Sequence, residues 1–142
     1  MQFNLKKATP NDFNFLISLR LKTMKPFFEK TIGWNDETEK EKAIDNIDFT
    51  QIVTIDKKSI GVIKVIDKKD ELHLDQLQIL PQHQKNGFGE KLLQQTIKQS
   101  QSTHKPITLF VIKNTPAKKL YERYGFKVTE EFEHYCKMRL EI

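Results

Sequence analysis

One stretch constrains this chain more than any other: Ile79-Leu80-Pro81-Gln82-His83-Gln84-Lys85-Asn86-Gly87-Phe88-Gly89-Glu90-Lys91-Leu92-Leu93. An apolar run through Leu74, Leu77, Ile79 and Leu80 stops at Pro81. A polar turn with two nearby glycines follows, and then a helical pattern begins. Strand, glycine turn and helix start together suit an anion. The first N–H groups of a helix lack internal partners, and the helix dipole puts partial positive charge there. Glycine lets the backbone turn tightly and lets a ligand approach with no Cβ in the way. Two nucleotide motifs are excluded. A P-loop needs Lys-Ser or Lys-Thr after its last glycine, and this chain has Glu90-Lys91. A dinucleotide fingerprint needs a third glycine where Leu92 stands. What remains is Gln84-x-x-Gly87-x-Gly89, which alone is also compatible with an ordinary loop.

Reading outward, the 142 residues suit a single domain over 1–142. Charged residues make up 30% and hydrophobic residues 37%, a balance that fits a globular chain rather than a disordered one. No apolar run approaches the roughly 18–20 residues that cross a bilayer. Residues 1–7 lack the apolar core of a secretion signal, and the lone Cys136 cannot form an internal disulfide. A cytoplasmic protein without membrane partners is expected. Cys136 alternates with Lys137 and Arg139, so it reads as a buried small residue. The net charge of +5 suits an anionic partner. Because the lysines are interleaved with acids, most of them read as solvated surface.

Residues 2–8 alternate as a strand. Thr9-Pro10-Asn11-Asp12 opens a helix with Phe13, Leu16, Ile17, Leu21 and Met24 on one face, ending near Pro26. Phe27 to Trp34 is aromatic with one acid, Glu29. Its Phe27 and Ile32 are expected to pack the helix junction. A charged helix spans Asp36 to Ile47. Strands follow at Phe49–Ile55, Ile60–Ile66 and Leu72–Leu80, an antiparallel meander. A helix from Gly87 to about Ser102 turns Phe88, Leu92, Leu93 and Ile97 inward. Pro106–Ile112 is a nearly continuous apolar strand, as for the middle of a sheet. Thr115-Pro116 opens a last helix that Gly125 ends. Phe126–Phe132 and Tyr135–Leu140 are the final strands. The order is β-α-α-β-β-β-α-β-α-β-β. Its strand–helix–strand unit at 72–112 implies two parallel neighbours within an otherwise antiparallel, mixed α+β sheet.

Two motifs on these elements resemble one family. Leu77-x-Ile79-x-Pro81-x-x-Gln84-x-x-Gly87-x-Gly89 is similar to the acyl-CoA pyrophosphate motif of the GNAT superfamily of N-acetyltransferases. Asn114-x-x-Ala117-x-x-Leu120-Tyr121-Glu122-x-x-Gly125-Phe126 resembles its second motif. The likeness covers residues 72–126 in motifs and about 3–141 in topology. It implies that acetyl-CoA is the co-substrate. Backbone N–H groups of Gln84, Lys85, Asn86, Gly87, Phe88 and Gly89 would hold the pyrophosphate. The strand at Leu77, Gln78 and Ile79 would border the pantetheine arm, with an N–H near Leu77 polarising the thioester. Asn114 would contact that arm or shape its turn. Tyr121 would protonate the departing thiolate. Residues 25–36 and the last hairpin would flank the acceptor. Members of the family are often dimers, and the last hairpin leaves an edge that could pair, so the resemblance allows a homodimer.

The chemistry adds one demand. An amine with a pKa near 10.4 is mostly protonated at pH 7, and freeing its lone pair costs about 4.6 kcal/mol. A base or a chain of water molecules should take the proton. Glu29, Asp75 and His73 are the candidates. His83 and His104 read as loop residues, and the histidines and Cys136 show no metal-ligand spacing. An acetyl-CoA-dependent transfer to a primary amine of a small molecule or peptide, through a ternary complex, is the expectation. The same motifs would fit a module that binds acyl-CoA without catalysis. A nucleic-acid-binding domain suits the charge but not the motifs, so no nucleic-acid partner is expected.

Overall fold

The computed structural model describes residues 2–142. Strands and α-helices follow in the order β1 (Asn4–Lys7), α1 (Phe13–Lys30), α2 (Asp36–Ile44), β2 (Thr50–Ile55), β3 (Lys58–Asp67), β4 (Leu72–Ile79), α3 (Phe88–Thr103), β5 (Ile107–Ile112), α4 (Pro116–Arg123), β6 (Lys127–Glu131) and β7 (Tyr135–Leu140). That is the expected order of a mixed α+β fold. The chain forms two compact units. One runs to Lys64 and resumes over Gln76–Gly89; the other holds Val65–Asp75 and Glu90–Ile142.

In the first unit the strand order is β1-β2-β3, then the end of β4. β1 and β3 both pair antiparallel with β2, with Leu5 opposite Val53 and Val62 opposite Ile52. Asp56 and Lys57, at φ 48 and 67, make the two-residue turn between β2 and β3. Positive φ at both central residues matches the twist of the flanking strands. Leu16 and Leu19 of α1, Ala43 of α2, Ile52 and Val62 form one buried cluster, with Phe13, Ile17, Ile44 and Leu80 packed around it.

Helix α2 has little apolar surface, and polar contacts hold it instead. Arg20 Nε and Nη2 donate to Glu39 Oε1 at 3.0 and 2.8 Å, both side chains buried. Lys64 is fully buried, its Nζ 2.7 Å from Asp45 Oδ1 and 3.0 Å from the Lys42 carbonyl. Gln76 Nε2 donates to the same carbonyl at 2.7 Å. These donors satisfy the open end of α2, where the helix dipole also favours a cation.

Several boundaries shift by a residue or two, and two helix ends differ from the sequence reading by more. Helix α1 continues through Pro26 to Lys30. Proline removes one N–H and crowds the carbonyl four residues back, which argued for a stop. Packing beyond it outweighs that cost. Phe28 is buried, its ring 5.7 Å from that of Trp34 and 5.8 Å from the Arg20 guanidinium carbon. Thr31 Oγ1 closes the last turn on the Phe27 carbonyl at 2.8 Å. Successive helical residues point about 100° apart, so Phe28 takes the inward place. Phe27 and Ile32, expected inside, are 45% and 51% exposed. Helix α2 ends at Ile44 rather than Ile47, because Asp45 is extended (ψ 162) and Asn46 is left-handed (φ 51).

In the second unit the start of β4 pairs parallel with β5, Leu72 beside Ile107 and His73 beside Thr108. β7 lies antiparallel between β5 and β6, giving the order β4-β5-β7-β6. Leu72, Ile107, Leu109, Cys136 and Met138 are buried, Cys136 as expected. Thr115 Oγ1 accepts from the Lys118 N–H at 3.3 Å to cap α4, and Gly125, at φ 95, ends the turn after it. Among the described residues no helix is long and apolar enough to cross a membrane.

Candidate active site

The loop before α3 is built by its own side chains. Pro81–His83 forms a single 3-10 turn, closed by the Gln84 N–H on the Pro81 carbonyl at 3.2 Å. Gln84 Nε2 reaches back to the Ile79 carbonyl at 2.9 Å, and Asn86 Nδ2 to the His83 carbonyl at 3.3 Å. Gln84 thus shapes the loop with both its amide groups. Lys85 and Gly87 are left-handed, at φ 67 and 80. Phe88, the first residue of α3, is buried edge-on against Phe3 with centroids 5.9 Å apart, which anchors the helix start.

A Cβ placed on Gly87 or Gly89 would meet nothing within 4 Å. Gly87 needs glycine for its φ as well. Gly89 lies in the helix, so there the missing side chain supplies space alone. Gln84, Lys85, Asn86 and Gly87 are exposed. The outcome is an open, glycine-lined helix N-terminus with the exposed Lys85 two residues before Gly87, a surface that fits a bulky anion.

Just upstream, β3 and the end of β4 approach closely. A Cβ on Gly61 would sit 2.6 Å from the Gln78 carbonyl oxygen and 2.6 Å from Ile79 Cδ1. Leu77 is half-buried, and Gln78 and Ile79 are buried. Gln78 Oε1 is buried without a hydrogen-bond partner. Glu29 is exposed on α1, and Trp34 Nε1 donates to Asp36 Oδ1 at 2.8 Å.

The second unit holds Asp75, Asn114 and Tyr121. Asn114 is exposed and left-handed, at φ 60, in the turn before α4. Tyr121 is buried, its ring 5.5 Å from that of Phe126, and burial pushes its phenol up to about 12. Nearby, the Tyr124 hydroxyl donates to Glu90 Oε2 at 2.5 Å and accepts from Gln94 Nε2 at 2.7 Å. The Glu90 hydrogen bond raises the Tyr124 phenol pKa above its ordinary value.

Asp75 has a neighbour that spacing alone does not show. His73 Nε2 lies 3.8 Å from Asp75 Oδ1, and His73 Nδ1 lies 2.8 Å from Thr108 Oγ1. The Thr108 hydroxyl in turn donates to Glu71. Sequence reasoning reached His73 but neither Thr108 nor Glu71. Only the register between β4 and β5 brings those two together. Among the described residues no group of three or more His, Cys, Asp or Glu side chains could hold a metal ion.

A family model described as an acetyltransferase (GNAT) domain matches residues 22–137. No curated protein matches the chain. Among solved structures, the PaiA N-acetyltransferase of Thermoplasma acidophilum, in complex with coenzyme A, superposes with a TM-score of 0.78 at 16% identity, covering 100% of both chains. The ribosomal-protein-S18-alanine N-acetyltransferase of Escherichia coli gives 0.73 at 17% identity, covering 98% of this chain and 93% of its own. Naa50 of Arabidopsis thaliana, in complex with the bisubstrate analogue CoA-Ac-MVNAL, gives 0.71 at 16%, covering 100% and 99%.

Proposed function

The chain belongs to the GNAT acetyltransferase family, and on that premise we propose that it transfers the acetyl group of acetyl-CoA to a primary amine of a small molecule or peptide, by direct attack in a ternary complex. The observation that carries this reading is the open turn at Gly87 and Gly89, where neither position has an atom within 4 Å of an added Cβ. Two of the similar structures hold coenzyme A or a CoA–peptide analogue, which supports the donor and a peptide acceptor.

Acetyl-CoA brings an activated thioester. The chain's own groups do the rest. The N–H groups from Lys85 to Gly89 and the Lys85 ammonium would hold the pyrophosphate, while Gln84 shapes the loop. Leu77, Gln78 and Ile79 would border the pantetheine arm, and Asn114 would set its turn. A single well-aimed N–H near Leu77 is worth on the order of 3 kcal/mol toward the tetrahedral oxyanion. Tyr121, with its phenol at about 12, keeps its proton at neutral pH and is always a donor. Full transfer to a thiolate near 8.5 is uphill by about 5 kcal/mol. Its contribution is therefore a hydrogen bond to the leaving sulfur that develops with the charge. Asp75 and Glu29 would draw the cationic acceptor, and the candidate bases are Glu29, Asp75 and His73. The family match at 22–137 includes residues of both units, which supports one domain over 1–142.

The test is direct. Acetyl-CoA at about 100 times its Kd should add roughly 2.7 kcal/mol to stability, read as a rise in Tm. Thiol release is then followed over alkylamines, polyamines, amino acids and free-amine peptides. Tyr121→Phe should cut kcat with little change in acetyl-CoA affinity; unchanged kcat would remove Tyr121 from the reaction. A rise in Tm with no turnover of any amine would favour an acyl-CoA-binding module instead.

A further inference from the structure

In the second unit one histidine is held by one ring nitrogen and free at the other. His73 is 9% exposed, and its Nδ1 faces the Thr108 hydroxyl at 2.8 Å. That hydroxyl has one proton, which goes to Glu71. Its oxygen can therefore only accept from the imidazole, so the ring proton sits on Nδ1. Nε2 keeps its lone pair. Its nearest acid, Asp75 Oδ1, is 3.8 Å away, beyond hydrogen-bond distance.

We propose that His73 is the general base of the acyl transfer, with Nε2 taking the proton of the acceptor amine and Thr108 and Glu71 as positioning residues. This rests on the acetyltransferase reading above. Imidazoles lie closer to amines in basicity than carboxylates do, so His73 is a better base than its neighbour Asp75. Asp75 instead attracts the incoming ammonium and then faces the imidazolium.

The surroundings suit such an acceptor. The Phe110 ring is 52% exposed and meets the His73 ring with centroids 5.8 Å apart. Tyr135 lies 6.1 Å beyond Phe110, and Phe132 stacks on Tyr135 at 4.6 Å. These rings make an apolar strip for the unreactive part of the acceptor. Lys137 Nζ, 5.8 Å from the centre of the Phe110 ring, repels a cation at that side and leaves Asp75 as the place for the ammonium.

Burial pushes the His73 pKa below 6.5, so the ring is neutral at pH 7. Asp75 and Glu71 pull it up, and Lys68 and Lys137 push it further down. The step balances. One N–H bond of the ammonium breaks and an Nε2–H bond forms. The freed lone pair attacks the thioester carbon, and the C–S bonding pair leaves on sulfur. A second nitrogen proton goes to the thiolate, and the imidazolium releases the first to water.

The experiment takes the amine that turns over fastest with acetyl-CoA and follows kcat/KM against pH, beside an NMR titration of His73 in the same protein. The rate should rise with pH along a limb whose midpoint lies below 6.5 and matches the His73 titration. His73→Gln should remove that limb and lower kcat about 100-fold or more, with the acetyl-CoA Kd unchanged. Nitrogen shifts should show the Nδ1–H tautomer in the wild type and its loss in Thr108→Val. A limb that does not follow the His73 titration, or one that persists in His73→Gln, overturns the proposal even if the enzyme is active. The wild-type comparison decides it should the variant fold poorly. No turnover with any amine would remove this proposal together with the acetyltransferase reading.

Discussion

Gln78 carries an amide oxygen into the interior with no donor to meet it. A buried acceptor left unmet costs about 1–3 kcal/mol. Met is close to Gln in shape and has no such need. Gln78→Met should therefore raise the denaturation midpoint in the absence of ligands; a fall would show that the amide is engaged. This atom was invisible in the sequence, where Gln78 is one polar residue in an alternating strand. Tyr121 was legible from its motif, but not the burial that sets its phenol at about 12. His73 was legible as a titratable residue on a strand. The Thr108 and Glu71 partners that give it one tautomer depend on strand register. Residue identity gave the candidates, and long-range pairing decided their state.

At the scale of elements, periodicity and caps carried most of the information. Thr115 and Gly125 bound α4 where expected, because the groups that satisfy helix ends lie next to those ends in sequence. Helix α1 shows where local rules stop. Pro26 signals an end, yet the buried Phe28 draws the chain on for another turn. Pro26→Ala should return a donor to the Lys22 carbonyl and relieve the ring's crowding. Proline inside a helix costs about 3 kcal/mol relative to Ala. Allowing for backbone already relaxed around it, a gain of about 1–2 kcal/mol in chemical denaturation is expected. Loss of stability would mean that the ring itself packs. The parallel pairing of β4 with β5 followed from the helix between them. The insertion of β7 between β5 and β6 did not, since nothing local distinguishes it from a plain meander.

For the whole molecule, His73 and Glu71 on the acid side and Cys136 and Tyr121 on the alkaline side bound a plateau of stability against pH. The fold lowers His73 from 6.5 by burial, and lowers Glu71 from 4.5 chiefly through the Thr108 hydrogen bond. Each then binds fewer protons folded than unfolded as pH drops. His73's contribution is complete above 6.5 and is lost as pH falls through its folded value. That of Glu71 is lost further down. On the alkaline side burial raises Cys136 from 9.0 and Tyr121 from 10.0 to about 12. Their contributions are complete below the unfolded values and fade as pH rises beyond them. Denaturant midpoints should stay level between about 6.5 and 9 and decline on both sides. A maximum well below 6.5 would contradict the direction given for His73.

The enclosure of Lys64 has a further consequence. Its side chain has no exposed surface, and its Nζ is held between Asp45 and the Lys42 carbonyl. An acylating reagent can therefore reach it only after β3 and the end of α2 come apart. In a time course with acetic anhydride read by peptide mass spectrometry, Lys64 should label far later than exposed Lys57 or Lys58. Its labelling rate would serve as a clock for the opening of the fold. Labelling of Lys64 in step with those surface lysines would show that the enclosure breathes on the timescale of the reagent.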